Sequence, residues 1–407
     1  MASLYLHIPF CEHKCVYCDF YSLATNGSDS QDAGRYDRFV AALKREIELR
    51  AADPRFASTY DTIFFGGGTP SLLSASHIEA ILNLLHKRFI IADHPEITME
   101  ANPGTLERGR LADFRRAGIT RLSMGIQSFF DDDLKFLSRI HTAREAKDCV
   151  REALRVGFDS VSFDLIFALP SQTLERWESN LRQAVELSPN HLSCYSLIVE
   201  PHTPLQRMVE SQQVQLPSED VDAEMYERTI DFLTTQGYRQ YEISNFARPG
   251  HECRHNLAYW THQNYLGFGP SAHSFWNDRR FWNVPSLQRY LESLEGGSLA
   301  ESGSEVLLSD QLIEEEIFLG LRSSGIDLQR FEKRHGIALL SVARKQINQF
   351  IDDGLVVVEE GRIRSTKKGY MLCDEIASSL IRFHPHPETR LEVHAFSPYI
   401  AHSCSSA

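Results

Sequence analysis

Three cysteines, Cys11, Cys15 and Cys18, stand in C-x3-C-x2-C spacing within "HIPFCEHKCVYCDFYS", and Phe20 follows where a further thiol could have stood. Thiolates in such a cluster bind iron–sulfur centres or zinc. Structural zinc takes four closed ligands, and His7 or His13 could complete a Cys3His set. A cluster held by three thiolates instead leaves one iron able to bind something exchangeable. The spacing by itself leaves both readings open. Cys149, Cys194, Cys253, Cys373 and Cys404 are scattered and are expected to be buried or incidental. The start "MASLYLHIPF" lacks the basic and apolar regions of an export signal. A reducing cytoplasm is therefore the expected compartment, where clustered thiols point to metal binding or catalysis.

The elements that must hold this loop alternate between strand and helix. Apolar, β-rich runs fall at residues 4–8, 62–65, 96–100, 121–125, 160–167 and 191–197. Amphipathic helices lie between them. "RYDRFVAALKREIEL" puts Phe39, Val40, Leu43 and Ile47 on one face, while "TAREAKDCVREALRVG" opens on Thr142 as a cap and closes on Gly157. Such alternation implies a parallel sheet with right-handed crossovers. Six units are fewer than a closed eight-fold barrel needs, so the expected fold is α/β, a partial open (β/α)6 TIM-like barrel. In barrels, chemistry sits at the carboxyl ends of the strands.

After about Pro201 the alternation dissolves. "LEGGSLAESGSE" is rich in Gly, Ser and Glu and reads as a linker, so residues 1–295 are assigned to the core and its extension. Three helices, a hairpin turning at Gly361 and a last helix then predict a winged-helix-like α+β domain over 306–384. The tail 385–407 lacks sustained periodicity and is expected to be disordered.

The cysteine loop after "YLHIPF", with "FFGGGTPS" ending the second strand, resembles the radical S-adenosylmethionine (SAM) superfamily in its coproporphyrinogen III oxidase-like branch. The resemblance covers most of residues 3–385. It implies that Cys11, Cys15 and Cys18 hold a [4Fe–4S] cluster and that SAM binds the fourth iron through its amino and carboxylate groups. An electron from that cluster cleaves SAM to methionine and a deoxyadenosyl radical. By the same resemblance Gly67, Gly68 and Thr69 contact SAM, Glu100 of "ITMEANP" contacts its ribose, and Tyr5 lines the site. Tyr17, Gln127, Arg139, Asp164 and Ile198 match positions that contact a second SAM in the oxidase. The glycine run is not a phosphate-binding P-loop, because no Gly-Lys-Ser/Thr follows.

Two departures separate the chain from the oxidase of that branch. Phe20 replaces the oxidase's fourth cysteine, and the chain begins almost directly at the first strand. "CDFYS" and "CRHNLAYW" instead resemble the heme chaperones of the same branch. This implies heme as a further ligand, a heme-accepting protein as partner, and a reductant such as a flavodoxin or ferredoxin. His255 is the candidate axial ligand, with Tyr259 and Trp260 as aromatic surface for a porphyrin; alternatively "HNLAYW" packs the barrel against the C-terminal domain. The oxidase activity and a zinc-stabilised regulatory protein are the competing functions. A net charge of −13 argues against nonspecific nucleic-acid binding, and no apolar run is long enough to span a bilayer, though peripheral membrane contact stays open.

Overall fold

The computed structural model describes residues 1–25, 30–105 and 109–382. Six strands follow one another in parallel and in chain order: β1 (Ala2–Ile8), β2 (Thr59–Gly67), β3 (Ile90–Ala101), β4 (Arg121–Gln127), β5 (Ser160–Phe167) and β6 (His191–Ser196). All six runs expected from the sequence are present, and the sheet they form stays open. Helices α1 (Ser30–Ala51), α2 (Ala75–Arg88), α3 (Arg110–Ala117), α4 (Ala143–Val156) and α5 (Leu174–Glu186) connect them.

Side chains alternate across these strands with period two, and the alternation divides the sheet into an outer apolar and an inner polar face. Leu4, Leu6 and Ile8 of β1, Ile63 and Phe65 of β2, Met99 of β3, Met124 of β4 and Phe163 of β5 enter the main apolar core. From α1, Phe39, Val40, Leu43 and Ile47 join the same core, as the sequence spacing predicts. Tyr5, His7, Thr62, Phe64, Thr98, Glu100, Ser162 and Asp164 occupy the intervening positions. The α4 ends also match: Thr142 accepts from the Glu145 N–H in a capping box, and Gly157 closes the helix in the left-handed region at φ 82°.

The stretch beyond Pro201 extends the same sheet at both edges. Helix α6 (Glu219–Thr235) leads to β7 (Asn245–Ala247), which pairs antiparallel with β6. Beyond helix α7 (Arg254–Trp260), β8 (Tyr265–Phe268) pairs parallel to β1, and β9 (His273–Trp276), β10 (Arg279–Asn283) and β11 (Glu301–Val306) continue antiparallel. Helix α8 (Leu287–Glu295) lies between β10 and β11. The Gly/Ser/Glu-rich segment is thus not a free linker: its second half is the edge strand β11, paired with β10 from Glu301 to Val306. An edge strand needs backbone partners but no buried side chains, so its composition mimics a linker.

The C-terminal domain has its own core, built by Ile317, Leu321, Phe331, Ile347, Ile363 and Ile376. It comprises α9 (Ser309–Leu321), α10 (Leu328–His335), α11 (Arg344–Asp352), a hairpin of β12 (Val356–Glu359) and β13 (Arg362–Ser365), and α12 (Cys373–Ile381). The hairpin turn has left-handed Glu360 and Gly361, the geometry of a type I′ turn. Arg280 and His262 of the core domain meet Glu315 of α9 in a buried ionic cluster. The expectation for residues 385–407 lies outside the described residues.

Candidate functional site

The cysteine loop leaves β1 and is pinned at its base by backbone bonds. The Leu23 N–H donates to the Pro9 carbonyl at 2.8 Å and the Thr25 N–H to the Cys11 carbonyl at 2.7 Å. The end of β2 clasps the other side: the Gly68 N–H donates to Ile8 O at 2.8 Å and the Thr69 N–H to Phe10 O at 2.6 Å. This clasp explains the glycines. A Cβ on Gly68 would stand 2.5 Å from the Phe10 carbonyl, and one on Gly67, already at φ +104°, would stand 2.5 Å from the His7 ring. The close approach is first of all to the chain's own β1 and cysteine loop.

Electrostatics links the three thiols. Burial, then the charges of Cys15 and Cys11, push Cys18 up to about 12; burial likewise raises Cys11, with Cys15 adding to it. Arg139 donates to the Cys15 sulfur at 3.5 Å and to the Gly125 carbonyl at 2.6 Å, and the Thr69 hydroxyl donates to the Cys11 sulfur at 3.6 Å. Among the described residues, no three His, Cys, Asp or Glu side chains are gathered as the ligands of a single metal ion. His7 is not placed to close such a set: its Nε2 bonds the Tyr21 carbonyl at 2.8 Å and burial lowers its pKa to about 4.

Beside the loop lies a polar interior. Glu100 is 4 % exposed; one oxygen accepts from the Gly67 N–H at 3.1 Å and the other, Oε1, has no hydrogen-bond partner. Burial, with Asp164 adding repulsion, raises the Glu100 carboxyl well above the usual range. Burial also raises Asp164, to about 7, against the Ser193 hydroxyl, Arg121 and Arg139, which pull it down. Gln127 is fully buried with φ 68°, at the bulge between β4 and β5. Left-handed backbone in a non-glycine residue is strained, and such positions cluster at functional sites. Tyr5 meets this group from β1, stacked on Phe64 at 6.1 Å.

Not every residue sits where a strand-end reading puts it. Asp164 lies inside β5, paired between Gly125 and Ser193, and its charge reaches Glu100. Arg139 follows a short helix, Asp131–Phe136, and points back to Cys15. Tyr17 and Ile198 lie on the wall of a cleft of about 510 Å³ that Glu100 and Asp164 do not line. Cys18, Phe20, Tyr226, Glu242, Trp260, Arg322, Tyr370 and Met371 also line it. Sequence reasoning missed Glu242 and Arg322; no motif marked them, because only the docking of the C-terminal domain brings them together.

His255 is not brought to the cleft. It is 1 % exposed; Nδ1 bonds the Thr62 hydroxyl at 2.7 Å, Nε2 bonds the Tyr259 hydroxyl at 2.9 Å, and the ring stacks on Phe64 at 4.9 Å. Both nitrogens are committed, and burial lowers the pKa to about 3. The "HNLAYW" helix α7 therefore forms a floor beneath the polar interior. Tyr259 and Trp260 pack against Leu319 of the C-terminal domain, as the packing alternative expected, and Trp260 alone of the pair also lines the cleft.

A three-thiol loop over a partial barrel, with an unpartnered buried carboxylate beside it, defines a radical SAM protein, and the radical SAM superfamily matches residues 5–184. The HemN C-terminal domain matches residues 307–372. The chain is 34% identical over 383 residues to the heme chaperone HemW of Bacillus subtilis, spanning 94% of this chain and 99% of that one. It is 44% identical over 271 residues to HemW of Escherichia coli, spanning 67% of this chain and 69% of that one. Among solved structures, Escherichia coli coproporphyrinogen III oxidase (HemN), a radical SAM enzyme, superposes with a TM-score of 0.79 at 28% identity over 94% of this chain and 90% of that chain. The chain thus belongs to the radical SAM superfamily and, within it, to the family of the heme chaperone HemW.

Proposed function

We propose that this protein holds a [4Fe–4S] cluster on Cys11, Cys15 and Cys18, binds SAM beside it, and carries heme for delivery to an acceptor protein. The residues present fit the first two groups. Three thiols and no fourth suit a cluster with one open iron, and the unpartnered Glu100 oxygen suits a ribose hydroxyl. When bound and reduced by a partner such as a flavodoxin or ferredoxin, that cluster supplies the electron for SAM cleavage. The chain's own part is to position and to exclude water. Arg139 offsets the charge of Cys15, Gly67 orients Glu100, and Tyr5 and Phe64 seal the interior from below. No helix among the described residues is long and apolar enough to cross a membrane, and a cytoplasmic location is part of this reading.

The observation that carries the heme reading is the cleft. Its volume of about 510 Å³ falls in the range of roughly 300–1,000 Å³ typical of sites for cofactors and drug-sized ligands. Its walls are largely apolar and aromatic, and Cys18 and Phe20 of the cysteine loop form one end. Phe20, standing where the oxidase has a cysteine, presents a ring to this space instead of a thiol. Its position favours holding a flat apolar ligand over reacting with one. Heme titration of the anaerobically reconstituted protein, followed at the Soret band beside an assay for protoporphyrinogen, tests the proposal. Stoichiometric heme uptake without protoporphyrinogen is expected. Protoporphyrinogen formation, or no heme uptake, would overturn it.

A further inference from the structure

The cleft has two chemically different ends. Tyr17, Cys18 and Phe20 make one. At the other, the segment around Ile243 joins the C-terminal domain: the Ile243 N–H donates to the Arg322 carbonyl at 2.8 Å, and the Tyr226 hydroxyl donates to the Ile243 carbonyl at 2.7 Å. Three buried polar atoms at this second end have no hydrogen-bond partner: Glu242 Oε1, Trp260 Nε1 and Arg322 Nε. Buried polar groups are satisfied in the large majority of cases, and an indole N–H usually finds an acceptor when buried. Three such exceptions on residues lining one cavity call for a common explanation.

Charge indicates what the explanation is. Asp19, Glu200, Glu219 and Asp222 line the cleft, and Arg322 is the one Lys or Arg among the described lining residues. Arg322 is already ion-paired through Nη2 with Asp374 of the C-terminal domain, and its unpartnered Nε is the one cationic N–H left for an anionic arm of a ligand. Two of the unpartnered atoms are N–H donors. The Glu242 carboxyl is fully buried, with its other oxygen accepting from the Ser244 N–H at 3.0 Å. Burial raises it to about 8 against the Ser244 and Asn245 hydrogen bonds that pull it down, which favours the protonated form that can donate as well. We propose that Glu242, Trp260 and Arg322 form a carboxylate-binding subsite that takes an acid side arm of the ligand, so that a bound porphyrin lies with its propionates toward the C-terminal domain and its apolar edge toward Tyr17 and Phe20. This rests on the heme reading of the cleft.

SAM also carries a carboxylate, so the experiment separates the two sources. Heme, heme dimethyl ester and SAM are each titrated into the reconstituted full-length protein and into the Trp260→Phe and Arg322→Lys variants. Melting temperature and iron content serve as controls for folding. Wild type is expected to bind heme about tenfold or more tighter than the ester, the factor for losing a hydrogen bond to a charged group. Trp260→Phe, which keeps the ring and removes the N–H, is expected to weaken heme by a similar factor and to leave the ester unchanged. Equal wild-type affinity for heme and ester, or equal weakening of both in the variants, would overturn the subsite while leaving heme binding intact. Weakening of SAM in place of heme would assign the carboxylate to SAM and overturn the porphyrin orientation. Absence of heme binding in wild type would overturn the heme reading and the subsite together.

Discussion

The backbone N–H of Gly67 donates to Glu100 Oε2 at 3.1 Å, and this bond ties the end of β2 to the end of β3 directly beside the cysteine loop. It leaves Glu100 Oε1 buried and unpartnered. One carboxylate thus fixes the glycine turn with one oxygen and leaves the other without a partner. Glu100→Ala is expected to weaken SAM binding by about 1–3 kcal/mol, the cost of losing a charged hydrogen-bond partner, measured by equilibrium titration of the cluster-loaded protein. Unchanged affinity would remove Glu100 from the site.

The cluster makes the most direct prediction. Anaerobically prepared protein is expected to contain about four irons and four sulfides, as a [4Fe–4S] centre requires. Replacing Cys11, Cys15 or Cys18 by Ser should abolish this content. Cys149→Ser and Cys373→Ser should leave it, because those thiols stand apart from the loop. Stoichiometric zinc without sulfide would refute the assignment.

Gly67 and Gly34 form a matched pair of tests. A Cβ on Gly67 meets the His7 ring at 2.5 Å with φ at +104°, whereas one on Gly34 in α1 meets nothing within 4 Å. Gly67→Ala is expected to lose at least about 1–3 kcal/mol to backbone strain and to lower cluster yield. Gly34→Ala should be neutral or stabilise by up to about 1 kcal/mol. Melting curves with iron analysis check both; equal melting temperatures would refute the clasp.

His255→Ala is expected to cost stability and to leave heme ligation unchanged. It removes the stack on Phe64 and leaves the Thr62 and Tyr259 hydroxyls without their ring partner. Each unsatisfied buried group costs about 1–3 kcal/mol, so a total loss of about 2–5 kcal/mol is expected in denaturant unfolding. The position and intensity of the heme absorption band should match wild type. A shifted band would restore His255 as a ligand.

The Glu242 carboxyl gives a pH dependence with a definite sign. Its folded pKa of about 8 lies above the ordinary value of about 4.3. The folded state therefore keeps a proton that the unfolded chain releases between these values. Its stabilising contribution is complete below the lower value and is lost as pH rises through the upper one. Asp164, raised to about 7, acts in the same direction, and His255, lowered to about 3, in the opposite one. Both are common to wild type and Glu242→Gln, so comparing the two isolates Glu242. Between pH 5 and pH 8 the melting temperature of wild type should fall relative to the variant. Parallel profiles would show that Glu242 is not held protonated.

The sequence by itself determined the parts whose chemistry is local. The cysteine spacing, the Thr142 and Gly157 helix ends and the buried stripe of α1 follow from residue type and period, because each depends on neighbours within a few turns. The six strands likewise follow from their apolar, β-rich runs. Only the tertiary structure decided what those residues meet. It placed Arg139 on Cys15 across 124 residues and turned a glycine- and serine-rich stretch into a paired edge strand. It sealed His255 between Thr62 and Tyr259 under the site, although its motif had read equally as a ligand. It also gathered Glu242, Trp260 and Arg322 around one cleft. Hydrogen-bond satisfaction and burial are set by partners distant in the chain, and no local pattern encodes which of two possible partners a histidine or an arginine will find.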